Sequence, residues 1–297
     1  MTATKSIRRL LVTGASGFLG WNVCRVASQE YEVTGVFHNH PIDISSVTMV
    51  QCDLTNPDTV RKLFSEYAPD AVIHTAAAAD PNFCQNNPEF SEQINVNASI
   101  QIAQECARHS LPCAFTSSDL VFDGSSPPYK EEAPVAPLSL YGRQKVIAEQ
   151  RMLAANLHTI ICRMPLMYGD APFGAKSFIQ PMIAALRSGQ VLKLFTDEYR
   201  TPISATDAAK GLLLALKHSD KNVLHLGGPQ RLSRYDIGVY LSECLYIKGC
   251  IVPILQKDII MAAPRAANVS LDSTKAQLLG FAPGTMEKEL LKLSCIK

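Results

Sequence analysis

The sequence predicts an α/β fold with a doubly wound parallel sheet and a second, smaller lobe. Three observations predict it. Short apolar runs alternate with helical patterns as far as residue 165, glycines recur every third residue just after the first apolar run, and a proline-rich loop spans Asp119–Leu138. Alternating strands and helices are typical of βαβ units, which build parallel sheets. We expect one domain over 1–165 and a partly interleaved lobe over 166–297.

The elements of the first part follow from hydrophobic periodicity and from helix-start signals such as Asn56-Pro57. The predicted strands are Ile7–Thr13, Glu32–Phe37, Val47–Cys52, Ala71–His74, Cys113–Thr116 and Thr159–Arg163. The predicted helices are Phe18–Gln29, Asp58–Tyr67, Glu89–His109 and Ser139–Ala155.

After residue 165 the regular alternation stops. The predicted helices there are Ser177–Ser188, Thr206–His218, Ser233–Leu245, Asp272–Leu279 and Thr285–Leu293, with short strands at Val191–Leu194 and Val223–Leu226. This weaker pattern is the reason for expecting a second lobe.

Composition narrows the function. The chain has 297 residues, of which 47% are hydrophobic, and its 28 Lys and Arg against 27 Asp and Glu give a net charge of +1. Dedicated binders of nucleic acid or of anionic membranes need a large basic surplus, so we expect neither partner. Nine cysteines without a C-x-x-C pair predict neither a disulfide framework nor a metal site. Such thiols suit a reducing, cytoplasmic location.

The glycine turn predicts a dinucleotide site. Gly14, Gly17 and Gly20 follow the first strand and open a helix. In such a turn the first glycine permits a tight bend, the second lets the backbone approach a pyrophosphate, and the third packs the helix on the sheet. Free N–H groups at the helix start then bind phosphate. We therefore expect a Rossmann-type cofactor site that includes Ser16, Phe18 and Leu19.

The nicotinamide coenzyme is predicted to be NADP, with NAD possible. The second strand ends in Phe37-His38-Asn39-His40, without the acid that would accept the ribose hydroxyls of NAD. His38 and Asn39 are candidates to contact a 2′-phosphate, although the histidines are equally explained as exposed loop residues. Asp53 and Leu54, after the third strand, are candidates beside the adenine. Asp53 is equally explained as a turn residue that precedes a helix.

Ser118, Tyr141 and Lys145 suit carbonyl reduction. Tyr141 and Lys145 are four residues apart and share one face of a helix. A neighbouring ammonium is expected to lower the pKa of the phenol, and a serine hydroxyl can hold the carbonyl oxygen. Alternatively, Lys145 pairs with Glu149 on a solvated face.

Motifs over nearly the whole chain resemble a known family. They are Thr13–Gly20, Pro69–Ala78, Ile94–Asn97, Ser117–Gly124, Pro128–Glu131, Tyr141–Lys145, Arg163, Tyr168-Gly169, Asp207 and Pro264–Asp272. The chain resembles an extended short-chain dehydrogenase/reductase of the nucleotide-sugar-modifying group. It is most similar to the dTDP-4-dehydrorhamnose reductases.

The resemblance implies further site residues. Asn95 corresponds to the family's supporting asparagine, and Ser118 to its catalytic hydroxyl residue. Ala76, Ala77 and Ala78 correspond to the wall beneath the coenzyme, although small residues suit core packing equally well. Asp119 and Arg265 are expected near the substrate, Arg265 either on its diphosphate or in a structural role.

The resemblance implies reduction of a 4-keto nucleotide sugar, with hydride from the nicotinamide and the proton from Tyr141. Leu120 stands where the reductases usually have Tyr, which leaves the sugar open. Two alternatives stay open: an epimerase that retains its coenzyme, and a non-catalytic NADP-binding subunit like the regulatory subunit of methionine adenosyltransferase. A homodimer is a common arrangement for such chains.

Overall fold

A computed structural model describes residues 8–175, 177–218, 222–247 and 249–294. The first half contains β1 (Arg9–Thr13), α1 (Phe18–Ala27), β2 (Glu32–Phe37), β3 (Val47–Gln51), α2 (Pro57–Tyr67), β4 (Ala71–His74), α3 (Pro81–Asn86), α4 (Pro88–Glu92), α5 (Ala98–Arg108), β5 (Cys113–Ser118), α6 (Leu140–Ala155) and β6 (Thr159–Met164).

The second half has shorter elements. They are β7 (Met167–Tyr168), α7 (Ile179–Arg187), β8 (Leu192–Phe195), β9 (Tyr199–Arg200), β10 (Ile203–Ser204), α8 (Ala205–Leu216), β11 (Val223–His225), β12 (Leu232–Ser233), α9 (Arg234–Cys244), β13 (Ile251–Ile254), α10 (Thr274–Leu278) and α11 (Met286–Leu290).

The central sheet confirms the predicted fold class. Among the described residues it has seven parallel strands in the order β11-β6-β5-β4-β1-β2-β3. The chain moves outward from β1 to β3, then returns to the other side of β1 with β4. This reversal between β1 and β4 is the switch point at which Rossmann-like sheets bind ligands, at the carboxyl ends of the strands.

Two apolar cores cover the two faces of this sheet. Helices α1 and α8 pack on one face, where Leu10, Val12 and Ile73 are buried with Leu212. Helices α2, α5 and α6 cover the other face, where Phe64 and Ile102 are among the buried residues. Both faces are therefore apolar, as expected for a buried parallel sheet.

The second half contributes to both parts of the molecule. Strand β11 pairs with β6 in the central sheet, whereas α7, α9 and α11 form a separate core around Tyr168. The division at residue 165 stays a prediction, and Ile7, with which the first strand was predicted to begin, lies outside the described residues. No helix in the described ranges is long and apolar enough to cross a membrane.

The long helix predicted over Glu89–His109 is wrong in one respect. The structure has α4, then a π-helical turn over Gln93–Asn97, then α5. Such a turn adds one residue to the helical repeat and is frequent at functional sites. Here it carries Asn95.

Candidate active site

The glycine turn after β1 has the shape that a phosphate group needs. Gly14 has a φ of +68°, and a Cβ on Gly20 would lie 2.2 Å from the Gly14 carbonyl oxygen. Gly17 is the N-cap of α1 and offers no side-chain acceptor, and the first turn of α1 carries no acid. The first N–H groups of the helix are thus left for an anion. These residues fit a dinucleotide.

A cleft of about 550 Å³ opens at the switch point of the sheet. Of the residues predicted from the sequence, it is lined by Gly14, Gly17, Phe18, Leu19, Gly20, Ala77, Ser118, Tyr141, Lys145 and Arg265. The half-buried Ser16 lies in the same turn. The structure therefore places the glycine turn and the Ser, Tyr and Lys set around one cavity.

Helix α6 positions Tyr141 and Lys145. The Ser139 hydroxyl caps the helix by accepting the N–H of Gly142 at 3.1 Å, and a Cβ on Gly142 would lie 2.2 Å from the Leu120 carbonyl oxygen. Only glycine permits this close approach between α6 and the loop after β5. Tyr141 and Lys145 are consequently buried beside the end of β5.

Burial controls the titration of both groups. It raises the pKa of the Tyr141 phenol above its usual value, while a hydrogen bond with Ser118 acts in the opposite direction. The sequence predicted a lowered pKa for this phenol, but the pKa is raised, because desolvation and the charge of Asp119 outweigh the hydrogen bond with Ser118 and the charge of Arg200. Burial also lowers the pKa of Lys145 to about 8. At neutral pH the phenol holds its proton.

Glu149 does not lie on a solvated face. It is buried, accepts a 2.5 Å hydrogen bond from the Ser117 hydroxyl and pairs with the Arg163 guanidinium at 2.9 Å. Its charge opposes the effect of burial on the pKa of Lys145. The buried carboxylate of Glu149 therefore favours the charged form of Lys145.

Asn95 acts from behind the cleft rather than within it. Its carbonyl oxygen accepts the N–H of Ala78 at 2.9 Å, and its amide donates to the Ala78 carbonyl at 3.1 Å. Gln144, between Tyr141 and Lys145, accepts a 2.9 Å hydrogen bond from the same amide. Ala76 lies against Gly14, because a Cβ added to Gly14 would be 2.8 Å from the backbone of Ala76. Asn95 thus holds the loop that follows β4.

Asp119 does not fit its predicted place as a substrate contact. Its side chain is fully buried, and both carboxylate oxygens accept hydrogen bonds from Arg200 of β9. The Ser118 hydroxyl also donates to Asp119 Oδ1, at 3.2 Å. Arg200, which is 81 residues away in the sequence, pairs with the carboxylate that we expected to contact the substrate.

The cleft also contains three charged residues that were not predicted from the sequence: Glu198, Arg200 and Arg234. Glu198 accepts hydrogen bonds from Arg234 Nε at 3.0 Å and Arg265 Nη1 at 3.2 Å, and lies 3.9 Å from Arg200 Nη1. Although burial alone would raise it, the pKa of Glu198 is lowered by the arginines. No motif marks these residues. What they share is their place in the lining of the cleft.

The residues predicted at the adenosine end lie outside the lining of the cleft. His38 and Asn39 are exposed after β2, and the His38 carbonyl accepts the Gln51 amide at 2.9 Å. Asp53 accepts both the N–H and the hydroxyl of Thr55, at 2.9 and 2.7 Å, as a turn residue would. Leu54 follows it, half-buried. All four lie at the carboxyl ends of β2 and β3.

The chain is similar to known proteins over nearly its whole length. Residues 8–294 match the model of the RmlD substrate binding domain family. The probable low-salt glycan biosynthesis reductase Agl14 of Haloferax volcanii is 29% identical over 291 residues, covering 95% of this chain and 96% of that protein. Methionine adenosyltransferase 2 subunit beta of Pongo abelii is 29% identical over 285 residues, covering 94% and 84%.

A solved structure shows the same fold. The dTDP-4-dehydrorhamnose reductase of Bacillus anthracis, in complex with NADP, superimposes with a TM-score of 0.85 over 96% of this chain and 97% of that one, at 21% identity.

Proposed function

Because the chain belongs to the RmlD substrate binding domain family, and so to the extended short-chain dehydrogenase/reductases of the nucleotide-sugar reductase type, we propose that it reduces a 4-keto nucleotide sugar with NADPH. One observation carries the proposal. Ser118, Tyr141 and Lys145 line the same cleft as the glycine turn. A proton donor and a coenzyme cradle in one cavity are what carbonyl reduction requires.

Reduced nicotinamide, when bound, supplies the hydride. Tyr141 gives its proton to the carbonyl oxygen as that oxygen gains charge, and Ser118 donates a hydrogen bond to the same oxygen. The raised pKa of the phenol keeps it protonated until then. Lys145, at 5.8 Å from the centroid of the Tyr141 ring, stabilises the phenolate that remains. The product is an alcohol.

Arg234 and Arg265 suit the diphosphate of the substrate. Both line the same cleft as the glycine turn and are held by Glu198. The buried Nε of Arg265 has no hydrogen-bond partner within the described residues. A buried donor without a partner is costly, and a phosphate oxygen would satisfy it.

Replacing Tyr141 by Phe tests the proposal. With dTDP-4-dehydrorhamnose and NADPH, turnover should fall by about 10²–10⁴-fold, the usual value of a general acid. The exposed Tyr246→Phe is the matched control and should keep full turnover. Turnover of Tyr141→Phe within a few-fold of the parent would remove Tyr141 from the reaction. Purified protein that carries oxidised coenzyme, and needs no added NADPH, would indicate an epimerase instead.

A second candidate is a regulatory subunit. The similarity to methionine adenosyltransferase 2 subunit beta over 94% of the chain favours it. In that case the protein would form a stoichiometric complex with a methionine adenosyltransferase catalytic subunit. Tyr141→Phe would leave the complex unchanged, since complex formation does not need the phenol proton.

A further inference from the structure

Arg200 and Asp119 join the two halves of the chain at the cleft. Asp119 directly follows β5, and Arg200 lies in β9, 81 residues later. The Arg200 Nε donates to Asp119 Oδ2 at 2.5 Å, and Nη2 donates to Oδ1. Both residues are buried. Two-point pairing of this kind fixes the carboxylate in position and charge.

The pair decides where the proton of Ser118 points. The hydroxyl has one proton, which it donates to Asp119 Oδ1 at 3.2 Å, while its oxygen accepts the Leu120 N–H at 3.2 Å. Oδ1 is also the acceptor of Arg200 Nη2. Because the guanidinium holds this oxygen in a charge-assisted bond, the longer bond from Ser118 is the weaker one. The hydroxyl can therefore turn to another acceptor.

We infer that Arg200 is a positioning residue: by neutralising Asp119 it leaves the Ser118 hydroxyl free to hold the substrate oxygen. The inference rests on the proposed function, which identifies that oxygen. Without Arg200, the buried carboxylate would bind the Ser118 proton in a strong bond of its own. It would also add an uncompensated negative charge beside Tyr141.

A purely structural role makes different predictions. If the pair only held the two halves together, losing either partner would lower the free energy of unfolding. Replacing both would then neither restore turnover nor restore the Kd ratio of NADP⁺ to NADPH. If Arg200 acts through the charge of Asp119, the neutral pair Arg200→Gln/Asp119→Asn restores turnover that Arg200→Gln alone has lost. The two single variants then shift the electrostatics of the cleft in opposite directions.

The experiment compares Arg200→Gln, Asp119→Asn, their combination, and Arg231→Gln. The last removes the same charge from an exposed arginine stacked on Tyr199 and is the control. We expect Arg200→Gln to lower kcat about 100-fold, as the loss of one donor to a developing oxyanion does. The double variant should regain at least about tenfold of this. Arg231→Gln should match the parent.

A second readout does not depend on turnover. Oxidised nicotinamide is cationic, so the Kd ratio of NADP⁺ to NADPH reports charge in the cleft. Arg200→Gln should favour NADP⁺ about fivefold, Asp119→Asn should favour NADPH, and the double variant should return to the parent. If Arg200→Gln does not fold, Arg200→Lys replaces it. Because lysine keeps the positive charge beside Asp119, that variant should keep turnover within a few-fold of the parent and leave the Kd ratio unchanged, and a roughly 100-fold loss of turnover would overturn the inference.

Failure of the proposed function and failure of the inference about Arg200 give different results. A parent that reduces no 4-keto sugar, but whose variants shift the Kd ratio as expected, overturns the proposed function and supports the charge coupling of Arg200. A double variant no more active than Arg200→Gln, or Kd ratios that do not move, overturns the inference.

Discussion

The ammonium of Lys145 donates a 2.9 Å hydrogen bond to the backbone carbonyl of Thr116, at the end of β5. It also lies 4.6 Å from the centroid of the Phe115 ring. The ammonium that we propose stabilises the Tyr141 phenolate is therefore anchored to the sheet. Burial nevertheless lowers the pKa of Lys145 to about 8, so the charge is held at a cost in stability.

Lys145→Met should make the protein more stable at pH 7 while removing its activity. Below the folded-state pKa of about 8 the lysine is charged in both states, and the cost of burying that charge is fully present. The gain should be about 1–3 kcal/mol in the free energy of unfolding, after the loss of the Thr116 hydrogen bond. As pH rises from 8 toward the unfolded-state pKa of 10.5, the parent loses this cost and the advantage disappears.

Denaturant unfolding at pH 7 and at about pH 10 measures this difference. Lys288→Met, at an exposed lysine, is the control and should give no gain at either pH. A Lys145→Met protein less stable than the parent at pH 7 would contradict the prediction.

The sequence was sufficient for the fold because its signals are local. Alternating apolar runs and helical periods predicted the segments of all seven strands of the central sheet, although the strand at Val223–Leu226 was expected in the second lobe, and they predicted most of the helices between the strands. The glycine turn was equally local, since its three glycines lie within seven consecutive residues, Gly14–Gly20. The π-helical turn at Asn95 could not be predicted, because it depends on the Ala78 backbone that the side chain holds.

The charged part of the candidate site could not be predicted for a related reason. Arg200 meets Asp119 across 81 residues, and Glu198 meets Arg265 across 67. Neither pair has a spacing that a sequence pattern would mark. Glu149 illustrates the same limit, since its spacing from Lys145 fits a surface pair and only packing against β5 and β6 buries it.

Replacing Gly17 or Gly20 by Ala should have different effects on the free energy of unfolding and on NADPH binding. A Cβ at Gly20 would meet backbone, 2.2 Å from the Gly14 oxygen, so Gly20→Ala should lower the free energy of unfolding by about 2–3 kcal/mol. At Gly17 the nearest atom is 3.1 Å away, and Gly17→Ala should cost less than about 1 kcal/mol. Because Gly17 lines the cleft, this variant should still weaken NADPH binding. Denaturation and fluorescence titration separate the two effects, and a fully stable Gly20→Ala would refute this account.

Asn39→Asp should change the choice of coenzyme. Asn39 is exposed just after β2, where an added carboxylate would repel a 2′-phosphate and accept the ribose hydroxyls. The Kd for NADPH should rise about tenfold and the Kd for NADH should fall. The control is Asn222→Asp, an exposed position beside β11 at the opposite edge of the sheet. Equal Kd changes in both variants would show a general charge effect instead.

Gln144→Leu should make the loop after β4, which we propose contacts the coenzyme, less firmly held, while the site of the substitution stays buried. Gln144 is 3% exposed, accepts from the Asn95 amide at 2.9 Å and donates to the Ser91 hydroxyl at 2.8 Å. Leucine has a similar size but neither group, so the amide that holds Ala78 loses its support. Each buried polar group left without its partner costs about 1–3 kcal/mol.

The loop held by Asn95 contains Thr75 and Ala77, which line the cleft. Gln144→Leu should therefore weaken NADPH binding about tenfold, beyond its effect on stability. Arg143→Leu, at the exposed neighbouring position, should change neither quantity. Titration with NADPH and denaturant unfolding are measured on the same preparations. Reduced stability with unchanged NADPH affinity would mean that Gln144 joins α6 to the segment before it and has no part in shaping the coenzyme site.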